Sequence, residues 1–328
     1  MHRVFATVLL TLICSVAHVL PEQTFARPSA AVEELLWWLP SDTETVMVTQ
    51  VPARRTAGPL FEEMATFSER IDFGDTTYAK TITRHLRSAR LKTTIEGSRH
   101  FREPSGLGEM PYEGATIYLF AKSMGADGNA LMTDLEQTAL SVERIQGFKV
   151  LEFRDKVEDD MLSSYITIPR PDVLLQATNR EYLKELLGRT VTHTGQRALS
   201  EEFPEWRWVD ARCPFWAIRH YRHEHASVDP SSPFRKGPSG LAFDPDAVGV
   251  AAHANADGRT IVAHYLSRGV TAETVATRLF KHAGDGVSPT FRRAADDAIE
   301  VRFIATDGGH LSMYFFYLFG TLGHGTYL

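Results

Sequence analysis

The sequence predicts an α+β fold, antiparallel sheets with helices packed on one side, and three observations carry that expectation. From Gly114 onwards, short runs rich in β-branched and aromatic residues follow one another with turn-formers between them. Helical periodicity is confined to a few separate segments. The order of strands, polar stretch and helix in the first half returns in outline in the second, which reads as a tandem repeat of one α+β unit. With 328 residues, 43% of them hydrophobic, the chain can bury a sizeable core.

Residues 1–26 have the pattern of an export signal. Arg3 precedes an apolar stretch from Val4 to Leu20, and the small residues Thr24 and Ala26 stand where a signal peptidase cuts. An uncleaved N-terminal anchor is the alternative, but about seventeen apolar residues is at the lower limit of a membrane span, and His18 interrupts them. "AVEELLWWLP" then places Val32, Leu35, Leu36 and Leu39 at helical spacing before Pro40 stops the pattern, and "TETVMVTQV" reads as a strand. Residues 59–70 and 76–90 read as helices, the second with Tyr78, Ile82, Leu86 and Ala89 on one face.

"GATIYLFAK", "GFKVLEFR", "SSYITIPR" and "DVLLQAT" follow as strands, and "TNREYLKELLGR" as a helix capped by Thr178 with Glu181 three residues on. In the second half "FWAIRHY", the two arms of "DAVGVAAHANADGRTIVAHYL" and "AIEVRFIA" read as strands, and "TAETVATRLFKHAG" as a helix. The boundary between a first half, 27–195, and a second half, 196–328, falls in the polar stretch Thr190–Ala198. Met313 to Phe319 are apolar on every side, so the C-terminal segment reads as a buried core helix, with a homodimer contact through it as the second reading. About twelve residues at the rise of an α-helix reach about 18 Å, short of the roughly 30 Å of a bilayer core.

The phrase "LPSDTE", Leu39 to Glu44, leading straight into a hydrophobic strand, resembles the opening of exported bacterial proteins of unknown function that begin with an LPADT-like phrase. The resemblance implies an exported, periplasmic or secreted protein and brings no catalytic residues with it.

A formal charge of -6, from 35 Lys and Arg against 41 Asp and Glu, gives no reason to expect a nucleic-acid partner. The strongest local bias lies between Lys80 and Arg102, where Glu96 is the one acid among Lys and Arg residues. There Lys80, Arg84 and Arg87 form a basic stripe that would suit an anionic membrane or envelope surface, and otherwise would be a solvated helix face. Of two cysteines, Cys14 lies in the signal, which leaves Cys213 without an internal disulfide partner.

Three histidines crowd together in "RHYRHEH": His220, His223 and His225. Strand alternation would put His223 and His225 on one face and His220 on the other, too few to make the three-ligand set of a catalytic zinc. A turn after Tyr221 would let all three converge, with Glu224 or Asp229 adding an oxygen, although the fixed charges of Arg219 and Arg222 oppose a cation there. No nucleophile elbow, phosphate loop, HExxH helix or calcium loop is present. The sequence therefore favours an exported cell-envelope protein that binds or scaffolds without catalysis and without a cofactor. A zinc-dependent hydrolase built on the three histidines is the alternative.

Overall fold

The computed structural model describes residues 27–51, 76–86, 89–100, 112–157, 160–192, 195–222, 247–255, 259–268, 271 and 289–304. Its helices are α1 (Ala30–Trp38), α2 (Thr77–Leu86), α3 (Gly125–Glu136) and α4 (Arg180–Thr192), with a 3₁₀ turn at Pro204–Trp208. Its strands are β1 (Thr45–Gln50), β2 (Leu91–His100), β3 (Tyr112–Phe120), β4 (Ser141–Ile145), β5 (Phe148–Val157), β6 (Asp160–Arg170), β7 (Val173–Ala177), β8 (Phe215–His220), β9 (Ala247–Ala254), β10 (Thr260–Ser267), β11 (Thr290–Ala295) and β12 (Ala298–Ile304).

All twelve strands join one antiparallel sheet in the order β11-β12-β10-β9-β8-β1-β2-β3-β7-β6-β5-β4. This corrects the expected arrangement of separate sheets in repeated halves. β1 pairs with β2 on one side and with β8 on the other, so residues more than 160 positions apart in sequence, such as Val48 and Trp216, face each other. That pairing is non-local, and local patterning carries no trace of it. The expected division at 195/196 falls between α4 and the 3₁₀ turn, while the sheet itself runs on through β1 and β8.

Helices cover both faces of the sheet, a second correction. In β3 and β7, Ile117 stands opposite Leu175 and the next row puts Tyr118 opposite Leu174; successive rows point to opposite faces. The first row belongs to a core with α1, α4 and the 3₁₀ turn that includes Val46, Val48, Ile95, Trp216 and Ile218. The second row belongs to another core with α2 and α3, through Tyr78, Ile82, Leu131, Leu135, Leu151 and Ile166. Strands buried on both sides carry continuous apolar runs such as "TIYLF", whereas one-sided helix packing would have required alternation. We call these the first and second faces.

Local chemistry sets the element ends. Ser29 caps α1 through its hydroxyl, and Pro40 follows its end. At α4 the capping side chain is Asn179, whose Oδ1 accepts from the amides of Glu181 and Tyr182, while the expected cap, Thr178, instead binds Gly114. Gln146 and Gly147, both at positive φ, make the tight turn of the β4–β5 hairpin, as type I′ geometry requires. Among the described residues no helix is long and apolar enough to cross a membrane. The expected helix at 59–70, the expected helix at 271–284 apart from Thr271, and the C-terminal helix lie outside the described residues.

Candidate functional site

The segment Phe203–Trp208 places most of the polar chemistry on the first face. Pro204 opens the 3₁₀ turn with its fixed φ, and the turn lays its rings on β8 to β10. Trp206 tilts against Trp216 at 5.6 Å between centroids, Trp208 stacks on His264 at 4.5 Å and Phe203 stacks on His220 at 3.8 Å. Between them Glu205 turns into the sheet and is fully buried. Its Oε1 lies 2.9 Å from Nδ1 of His220, and a Cβ at residue 249 would stand 1.8 Å from that oxygen, so only Gly249 leaves room for the carboxylate. Oε2 has no hydrogen-bond partner.

Farther along the same face, Glu300 is enclosed by donors. Arg292 reaches it with two bonds of 2.6 Å, Arg302 with one of 2.5 Å, and His264 Nε2 lies 3.4 Å away. Burial pushes this carboxyl upward, but the bonds from His264, Arg292 and Arg302 outweigh it and hold it well below the usual carboxylate range. His253, on the neighbouring strand, is pushed down to about 4, first by burial and then by the nearby His264, so it is neutral at physiological pH.

The first half has its own closed network on this face. Arg99 binds Glu113 at 2.6 Å, Asp42 at 2.5 Å and Glu185 at 2.9 Å, and its guanidinium lies 5.0 Å from the centre of the Tyr182 ring. Burial opposes the charge, but Asp42 and Glu113 keep it firmly protonated. Glu96, on the second face, contrasts with all of these: burial pushes its carboxyl up to about 7, and its Oε2 has no partner.

His220 thus sits at the end of β8, held by Glu205 and Phe203; His223 and His225 lie outside the described residues. Lys80 and Arg84 are both on α2, and Arg84 is paired with Asp134 at 2.9 Å, which also takes His85 at 2.8 Å; Arg87 lies outside the described residues. Among the described residues no group of three or more His, Cys, Asp or Glu side chains is placed to hold a metal. Burial pushes the Cys213 thiol up to about 11, which leaves it a poor nucleophile at neutral pH. A buried carboxylate bonded to Nδ1 orients the His220 ring as in general-base pairs, yet among the described residues Glu205 is the one polar partner of that side chain.

Sequence reading missed Glu205, His253, His264, Glu300 and Arg99 as interacting groups, since their partners come from distant strands. His220 stood out in advance for its crowding with two other histidines, and Glu96 as the single acid in a basic stretch.

No protein-family model matches this sequence, and no curated protein matches it. Among solved structures, crystal form I of TP0453 is similar with a TM-score of 0.46 at 9% identity, covering 82% of this chain and 91% of that one. Crystal forms III and IV of TP0453 give TM-scores of 0.43 and 0.41, also at 9% identity.

Proposed function

We propose that this chain is an exported cell-envelope protein that binds or scaffolds another component without catalysing a reaction. One observation carries the non-catalytic part: the buried charges of Arg99 and Glu300 on the first face are committed to partners within the fold. Arg99 is held by three carboxylates, and Glu300 by two guanidiniums and an imidazole. Groups bound this way lower the energy of the fold and are not available for proton transfer. The N-terminal charge-then-apolar pattern supports export, and the LPADT-like opening agrees with it.

Expression of the full chain in a bacterial host, followed by fractionation and N-terminal sequencing, tests the location. Protein in the periplasmic or external fraction beginning at Arg27 supports the reading. Cytoplasmic protein that retains its first residues overturns it.

The alternative, a metal-dependent hydrolase using His220, His223 and His225, has one observation in its favour. Glu205 fixes Nδ1 of His220, the way a carboxylate orients a ligating imidazole whose other nitrogen faces the metal. Elemental analysis of untagged protein decides it: stoichiometric zinc that is lost in His223→Ala supports a hydrolase, and metal content unaffected by that substitution removes it.

A further inference from the structure

The outer end of the first face carries more positive charge than its buried carboxylate needs. Glu300 Oε1 accepts from Nε of Arg292 at 2.6 Å and from Nε of Arg302 at 2.5 Å, while Oε2 takes Nη2 of Arg292 at 2.6 Å. Arg292 alone meets the carboxylate with both prongs of its fork, so adding Arg302 leaves one positive charge over. Two guanidiniums that share one oxygen are held side by side. Among the described residues the other nitrogens, Nη1 of Arg292 and both terminal nitrogens of Arg302, make no hydrogen bond. These side chains are 64% and 44% exposed, whereas the Glu300 side chain beneath them is 4% exposed.

Strand pairing completes the surface around them. Thr290, exposed on β11, stands opposite Arg302 and on the same face as Arg292. Alternation along β12 sets Ile304, 69% exposed, on the same side as Arg302, while Phe303 between them is buried on the other. The other acids of this hairpin, Asp296 and Asp297, lie at its turn, away from Arg302 and Ile304, and Asp296 is paired with Arg293.

This arrangement favours an oxyanion. A buried carboxylate that fixes two arginines spares a ligand much of the cost of freezing them, so the outward N–H groups are already in place. The excess charge repels a cation. A planar carboxylate is satisfied by one guanidinium fork, whereas nitrogens from two guanidiniums on adjacent strands, with a hydroxyl beside them, match the three free oxygens of a phosphate monoester. Ile304 offers apolar surface to whatever the phosphate is attached to.

We propose that Arg292, Arg302 and Thr290 form a binding site for a phosphate monoester whose apolar substituent rests on Ile304. Glu300 is the positioning residue of that site: it holds both guanidiniums and does not touch the ligand. The site deepens the binding reading given above and rests on it. Its test reads phosphate affinity and not location, so failure here leaves the fractionation result standing.

The probe is n-hexyl phosphate, titrated calorimetrically into the full chain at low ionic strength, with hexanoate and inorganic phosphate as comparisons. Saturable binding of one hexyl phosphate per chain is expected, with hexanoate weaker by about tenfold and inorganic phosphate weaker by a few-fold for want of the Ile304 contact. Arg302→Gln should lose at least about tenfold in affinity with an unchanged circular dichroism spectrum, and Arg302→Lys should lose several-fold because a point charge lacks the fork. Arg293→Gln makes the same change of charge on the opposite face, beside Ile299, and should bind as the parent does. Absence of saturable binding, hexanoate or inorganic phosphate binding as tightly as hexyl phosphate, affinity retained in Arg302→Gln, or an equal loss in Arg293→Gln would each overturn the proposal.

Discussion

Two buried carboxyls at different places in the same sheet behave in opposite ways. Glu300, on β12, is surrounded by Arg292, Arg302 and His264, and its proton is held off far below the usual range. Glu96, on β2, has the Thr116 hydroxyl and the Met47 thioether as cross-strand neighbours, and its proton is retained up to about 7. Burial acts upward on both. What differs is the supply of donors, and that comes from the residues that strand pairing sets alongside. Where donors converge, a charge is part of the framework; where they are missing, the fold carries a standing cost that a proton relieves.

The comparison can be broken most forcefully at Arg99, which belongs to the same class as Glu300. Arg99→Met leaves Asp42 and Glu113 facing each other without their cation, and the expected loss is about 3–5 kcal/mol in chemical denaturation at pH 7. Glu300→Gln keeps the shape but removes the charge, and should cost about 2 kcal/mol at pH 7. Because pairing lowers the Glu300 proton affinity in the folded state, that contribution is present above the ordinary carboxylate range and is lost as pH falls below it. The parent and the variant should therefore converge toward acid.

Glu96→Gln should act in the opposite direction. A carboxyl whose affinity for its proton is raised on folding contributes most below its unfolded value of 4.5 and loses that contribution as pH rises to about 7. The variant is expected to be more stable than the parent by about 1–3 kcal/mol at pH 8 and no more stable near pH 4. His253 opposes Glu96 across the same range. Neutral and buried, it is pushed from 6.5 down to about 4, so stability is full above 6.5 and falls as pH drops through that window. Replacing His253 with Asn should thus flatten the acid limb, leaving the Glu96 slope exposed in urea midpoints taken from pH 4 to pH 8. The smallest effect is expected at Arg84→Ala, since its pair with Asp134 is open to solvent: a change within about 0.5 kcal/mol in the same assay, reduced further by salt.

How much of this was legible in the sequence follows from how far each interaction reaches. The helix ending at Pro40, the strand "TVMVTQ" and the β9–β10 hairpin are local, and each was placed from its own residues. The strands β2, β4 and β11 were not, because "LKTTIEGSRH", "SVERI" and "TFRRAA" are polar enough to read as loops or charged surface until neighbouring strands give them pairing. The helix α3 was hidden for a similar reason, beginning in "GADGN", whose glycines suggest a turn. One sheet covered on both faces was missed because the pairing of β1 with β8 is non-local. In the candidate site, His220 was noticed for its crowding, but its partner Glu205 arrives on a proline-led turn that carries no catalytic signature.

The measurement that bears most directly on the contrast is a carboxyl ¹³C titration of the full chain, with Glu96 and Glu300 assigned by their Gln variants. Glu96 titrating near pH 7 while Glu300 stays ionised throughout the range above pH 4 is the predicted result. Both groups titrating together near the ordinary glutamate value of 4.5 would contradict it.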